Sequence, residues 1–173
     1  MRFTRSINLV VVLTLVSGGC SGTSSSTQQY FADLATISTA LSTELDDVEG
    51  AINAGLLDIN FEAAGAEAQF IELFRTSILN VEASFQRLVT ALQNLQPTGD
   101  LVGPHEQAVA AGLQVLADYQ SEAGRLDAMA SLADIDAYAE TLSTADARRR
   151  FAESCLELQG IATNDDIDLD LNC

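Results

Sequence analysis

FIELFRTSILNVEASFQRLVTALQNL, residues 70–95, decides the fold. Phe70, Phe74, Ile78, Val81, Phe85, Leu88, Leu92 and Leu95 alternate steps of four and three. That is a seven-residue repeat, and it places the large apolar side chains along one face of a long helix. Pro97 stops the helix, and Thr98-Gly99-Asp100 forms the turn.

The same period runs outward in both directions. Upstream, Leu34, Ile37, Leu41, Leu45, Val48 and Ile52 step by three or four, predicting a first helix of about six turns. Gly55 and the stretch to Asn60 can end it, and Asp58 or Asn60 can cap the next helix. Downstream, Gly103-Pro104 opens a third helix, with Pro in the first turn where no amide donor is needed. Its stripe runs Val109, Leu113, Leu116, Tyr119, Ala123 and Leu126. Ser131 and Asp134 have capping-box spacing and start a fourth helix with Ile135, Tyr138 and Leu142. Ser143 and Asp146 repeat that spacing, so the segment either kinks near Ser143 or continues to about Gln159. Phe151, Cys155 and Leu158 carry its apolar face, and Gly160 can cap its end. The expected fold is all-α, an antiparallel up-down bundle over residues 30–160. It has four long helices, or five if the last one breaks.

The tail over residues 161–173 differs. Ile167, Leu169 and Leu171 alternate with Asp166, Asp168 and Asp170, the pattern of an extended segment with one buried face.

Composition narrows the function. In 173 residues there are 25 Asp plus Glu against 8 basic residues, giving a net charge of -17. All eight basic residues are Arg. Such a surface repels phosphate and argues against nucleic-acid binding.

The first nineteen residues read as a secretory signal peptide. Arg2 and Arg5 precede the apolar run from Ile7 to Val16, then come the small residues Ser17, Gly18 and Gly19. A ten-residue helix spans about 15 Å, half of what a membrane crossing needs. Val16-Ser17-Gly18-Gly19-Cys20 resembles the lipobox of bacterial lipoprotein precursors. The resemblance covers the first twenty residues. It implies cleavage before Cys20 and a thioether-linked diacylglycerol on that cysteine, so the expected partner is the lipid bilayer. Ser17 stands where the family usually has Leu. Ser17 and Gly19 also suit ordinary signal peptidase, which would leave Cys20 unlipidated.

Residues 21–29, Ser-Gly-Thr-Ser-Ser-Ser-Thr-Gln-Gln, carry no apolar side chain. With Cys20 they read as a flexible tether spanning ~15–18 Å. Assigning Cys20 to lipid leaves Cys155 and Cys173 as a candidate disulfide, which an exported location permits. It would tie the tail to the last helix and contribute ~3 kcal/mol through loop closure.

Candidate chemistry is sparse. His105, the single histidine, reads as an exposed polar residue at the start of the third helix, and no zinc, di-iron or haem motif surrounds it. Asp166, Asp168 and Asp170 echo the first ligands of a calcium loop. Leu171 stands where the loop needs Gly, so they are only weak metal candidates. Glu44, Asp46, Asp47 and Glu49 read as a solvated face. Arg148-Arg149-Arg150 fans around a helix and suits pairing with nearby acids. No nucleophile triad and no phosphate loop is present. The sequence therefore predicts no catalysis and no cofactor. The expected protein is a membrane-anchored, extracytoplasmic helical bundle that binds or scaffolds an envelope protein. The second reading is an exported bundle that binds a small ligand or a metal.

Overall fold

The computed structural model describes residues 25–143 and 146–171. Cys20, the rest of the lipobox and signal region, and Cys173 lie outside them. Among the described residues there are five α-helices and no strand. They are α1 (Ser25–Asp58), α2 (Ala66–Gln93), α3 (Val102–Ala128), α4 (Leu132–Ser143) and α5 (Asp146–Asn164), with a 3₁₀ turn at Gly99–Leu101 before α3. Helices α1 and α2 pack along each other, as do α2 and α3, while α5 lies mainly on α3. The all-α bundle is the fold that the apolar stripes predict. The last rod is described as α4 up to Ser143 and α5 from Asp146, and the junction between them, where the sequence allows either a kink or a continuous helix, lies outside the described residues.

Local chemistry explains most of the helix boundaries. Helix α1 starts at Ser25, so the last five residues of the predicted tether, 25–29, form its first turn. Gln29 Nε2 donates to Asp33 Oδ1 at 2.8 Å, one turn on, which helps these polar residues hold a helix. Neither Asp58 nor Asn60 caps α2. Asn60 Oδ1 accepts from the Glu62 amide at 3.1 Å in a local turn, and Gly65 takes the N-cap position with φ 95°. That left-handed geometry suits a residue without Cβ.

The Ser131–Asp134 capping box is formed. The Ser131 amide donates to Asp134 Oδ2 at 2.9 Å, and the Asp134 amide donates to Ser131 Oγ at 3.3 Å. Helix α2 supports both ends of this junction. Arg75 donates to the backbone oxygens of Leu126 and Met129 at 3.1 and 3.2 Å, satisfying the C-terminus of α3. Glu67 Oε1 accepts the Leu132 amide at 3.1 Å, at the N-terminus of α4. Cation at a C-terminus and anion at an N-terminus both complement the helix dipole.

Gly160 does not end α5, which continues to Asn164. The stop comes at Asp166, whose φ is 55°. The Ile167 amide donates to the Ala162 carbonyl at 2.9 Å and the Asp166 amide to the Thr163 carbonyl at 3.2 Å. This pair of bonds is a Schellman motif, with Asp taking the left-handed position that Gly usually fills.

The core has two parts. A terminal cluster joins Tyr30, Phe31 and Leu34 of α1 to Leu88 and Leu92, Leu101, Ala108, Leu158, Ala162 and the tail residue Leu171. A distal cluster joins Ile71, Val115, Tyr119, Leu126, Met129, Ile135, Tyr138 and Ala147. No α1 residue belongs to it. Phe85 packs against both. The third-helix stripe is displaced from its predicted line. Leu113 and Ala123 are exposed, while Ala108, Ala111 and Gly112 are buried. A Cβ on Gly112 would lie 2.8 Å from Val89 Cγ2, so this helix contact depends on a bare backbone.

Candidate functional site

The terminal cluster does not fill its own centre. A partly enclosed cavity of about 150 Å³ lies where α1, α2, α3, α5 and the tail converge. Helix α1 supplies Leu34, Ile37 and Leu41, and α2 supplies Leu88 and Leu92. Ala108 of α3 and Ala152 of α5 are too short to occupy the space that their neighbours leave. Phe151 is the single aromatic in the wall. The polar atoms nearby are committed. Ser38 Oγ donates to the Leu171 carbonyl at 3.0 Å, and Cys155 is disulfide-bonded.

The tail closes one side of this cavity. Ile167 and Leu169 are half-buried and Leu171 is buried, while Asp166, Asp168 and Asp170 are exposed. The period-two reading of this segment therefore matches its burial. Its missing partner strand is replaced by one side chain. Gln159 Nε2 donates to the Leu169 carbonyl, and Gln159 Oε1 accepts the Leu171 amide at 2.7 Å. A carboxamide thus supplies the donor and acceptor that a neighbouring strand would offer. Nothing in the spacing of the sequence announces this role for Gln159.

On α3, three residues before Ala108, His105 is buried at 6% exposure. Its Nδ1 shares a 3.1 Å hydrogen bond with the Tyr30 hydroxyl, and the two rings meet edge to face at 5.7 Å. Burial pushes the His105 imidazole below its ordinary pKa, while nearby Glu106 opposes the shift. Burial also pushes the Tyr30 phenol up to about 12. The sequence places His105 at a helix start, and the structure puts it in an α1–α3 joint instead of on the surface.

The charged candidates separate. Glu44 leaves the acidic face and grips Arg87 of α2, accepting from Nε at 3.0 Å and from Nη2 at 2.7 Å. That bond holds its carboxyl below the usual range. Asp46, Asp47 and Glu49 stay exposed. Arg149 pairs with Asp146 and with Glu153, and Arg150 with Asp146 at 3.1 Å. Arg148 turns inward, donating to the Tyr119 hydroxyl at 2.6 Å with its guanidinium carbon 5.2 Å from the centre of that ring.

A second depression, about 610 Å³, lies between α3 and α5. It is a polar groove whose wall mixes Arg150 with Glu153 and Glu157. Among the described residues no group of three or more His, Cys, Asp or Glu can hold a metal ion. No described helix is long and apolar enough to cross a membrane. Comparison with known protein families, curated proteins and solved structures finds no match to this chain.

Proposed function

We propose that the protein is an exported lipoprotein, anchored to a membrane through an acylated Cys20 and facing the extracytoplasmic side. Its helical bundle binds or scaffolds another envelope protein without catalysis. The observation that carries the binding part is the far half of α1. Leu45 is 39% exposed and Leu57 88%, and Phe61 in the following turn is 64% exposed. Apolar side chains this open suit a protein contact. Helix α1 has 34 residues, so it spans about 50 Å at 1.5 Å per residue. The open tip therefore stands far from the anchored end. Cys173 is the assigned partner of Cys155, supported by Leu171 packing two residues before it in the cluster that Cys155 touches.

Two measurements test this reading. Cys20→Ser should release the protein from the membrane fraction, and equal retention would exclude the lipid. A photo-crosslinking residue at position 57 or 61 should capture one envelope protein in intact cells. The same residue at Leu156, 59% exposed on α5, should not. Equal capture from both faces would exclude a specific surface. The small-ligand alternative is favoured by a separate observation, the apolar cavity under the tail.

A further inference from the structure

We propose that the cavity under the C-terminal tail binds the end of an alkyl chain carrying an uncharged head group. The site deepens the small-ligand alternative and is independent of the lipid anchor and of any envelope partner. Its volume of about 150 Å³ is the first argument. An apolar void of that size has room for a guest of about six carbons. The wall is the second. Leu34, Ile37, Leu41, Leu88 and Leu92 make it aliphatic, with Phe151 the one aromatic face. Ser38 Oγ already bonds the Leu171 carbonyl. Among the described residues no buried side-chain N or O is without a partner. With its one hydroxyl donor already engaged, the wall offers a polar group little recognition, and hydrocarbon is the part of a guest that it matches. Partial enclosure is the third argument, because it lets a chain enter while its head stays in water. The net charge of -17 disfavours an anionic head.

A homologous series of linear alcohols, from butanol to decanol, tests this on the purified full chain by thermal shift and calorimetry. Affinity should rise about fourfold per added methylene, the transfer free energy of one buried CH₂. The rise should break near hexanol, where the cavity is full. At about five times its Kd, hexanol should raise the Tm by about 2–4 °C. Octanoate should bind at least several-fold more weakly than octanol. Ala152→Leu and Ile37→Phe each occupy part of the void. A folded variant of either kind should move the break to a shorter alcohol. Affinity that climbs without a break, or an identical series in both folded variants, would mean surface adsorption and overturn the proposal. Binding of benzyl alcohol without binding of any linear alcohol would overturn the alkyl assignment while leaving a small-ligand site. Silence from every probe would remove both. If neither variant folds, the position of the break in the parent chain still decides.

Discussion

The two halves of α1 carry the same kind of stripe and meet opposite fates. Leu34, Ile37 and Leu41 line the terminal cluster, whereas Leu45, four residues on, is 39% exposed and Leu57 is 88% exposed. The difference lies in the neighbours. At the terminal end α1 faces α2, α5 and the tail, and all contribute to one core. At the distal end α4 supplies Ile135 and Tyr138, and no α1 residue joins the cluster they form. Periodicity specifies that a helix has an apolar face. It does not specify whether another element arrives to cover that face.

The strongest way to break the comparison is truncation at each end. Phe31 is 1% exposed, so Phe31→Ala should cost about 3–5 kcal/mol in denaturant unfolding. Leu57→Ala should change stability by less than about 0.5 kcal/mol. A large loss at Leu57 would mean that the tip is covered in solution.

Glycines sharpen the contrast. A Cβ at Gly112 would press on Val89, which is fully buried and has nowhere to go. Gly112→Ala should destabilise by about 1–3 kcal/mol. A Cβ at Gly55 meets the outer methyls of half-buried Leu73 at 2.6 Å. Leu73 can swing aside, and Ala favours the helix by roughly 0.5–1 kcal/mol. Gly55→Ala should therefore stay within about 1 kcal/mol of the parent.

His105 makes the terminal cluster sensitive to acid. Its folded pKa lies below the unfolded value of about 6.5. Below that pH the unfolded chain binds a proton that the folded chain resists. The stability contributed by neutral, buried His105 is thus present above about pH 6.5 and is lost as pH falls towards the folded pKa. Unfolding curves at pH 7.5 and 5.5 should show a smaller drop in His105→Phe than in the parent. An equal drop would assign the acid sensitivity to other groups.

A small effect of the opposite sign is expected at the Schellman turn. Asp166 holds φ 55° without a glycine. Asp166→Gly should raise stability by a few tenths to about 1 kcal/mol, read as a shifted denaturation midpoint.

Helix periods, the Ser131–Asp134 cap and the alternating tail were all legible, because each is a local rule acting over a few residues. The face of α3 was only half legible. Large residues mark a stripe, but here Ala108, Ala111 and Gly112 make the close contact, and small side chains leave little imprint on a hydrophobic pattern. The start of α2 was missed because Gly65 caps with its backbone while the better-looking Asn60 serves a turn. The cavity was illegible for a related reason. It is a mismatch of volumes among side chains from four helices and the tail, and no single segment records it. Gln159 was missed because a carboxamide acting as a surrogate strand has no spacing signature.

Burial of Leu171 also bears on the order in which the molecule can be assembled. The distal cluster is complete once residue 147 has emerged. The terminal cluster joins Tyr30 to Leu171, so its first and last pieces are separated by nearly the whole chain. A chain delivered from its N-terminus would hold Tyr30, Phe31 and Leu34 unsheltered until the end of delivery. Contacts of such long sequence separation form slowly and leave apolar surface open meanwhile. Loss of the last few residues would then delay or abort closure of that end, even though the buried residues of the distal cluster all lie between 71 and 147.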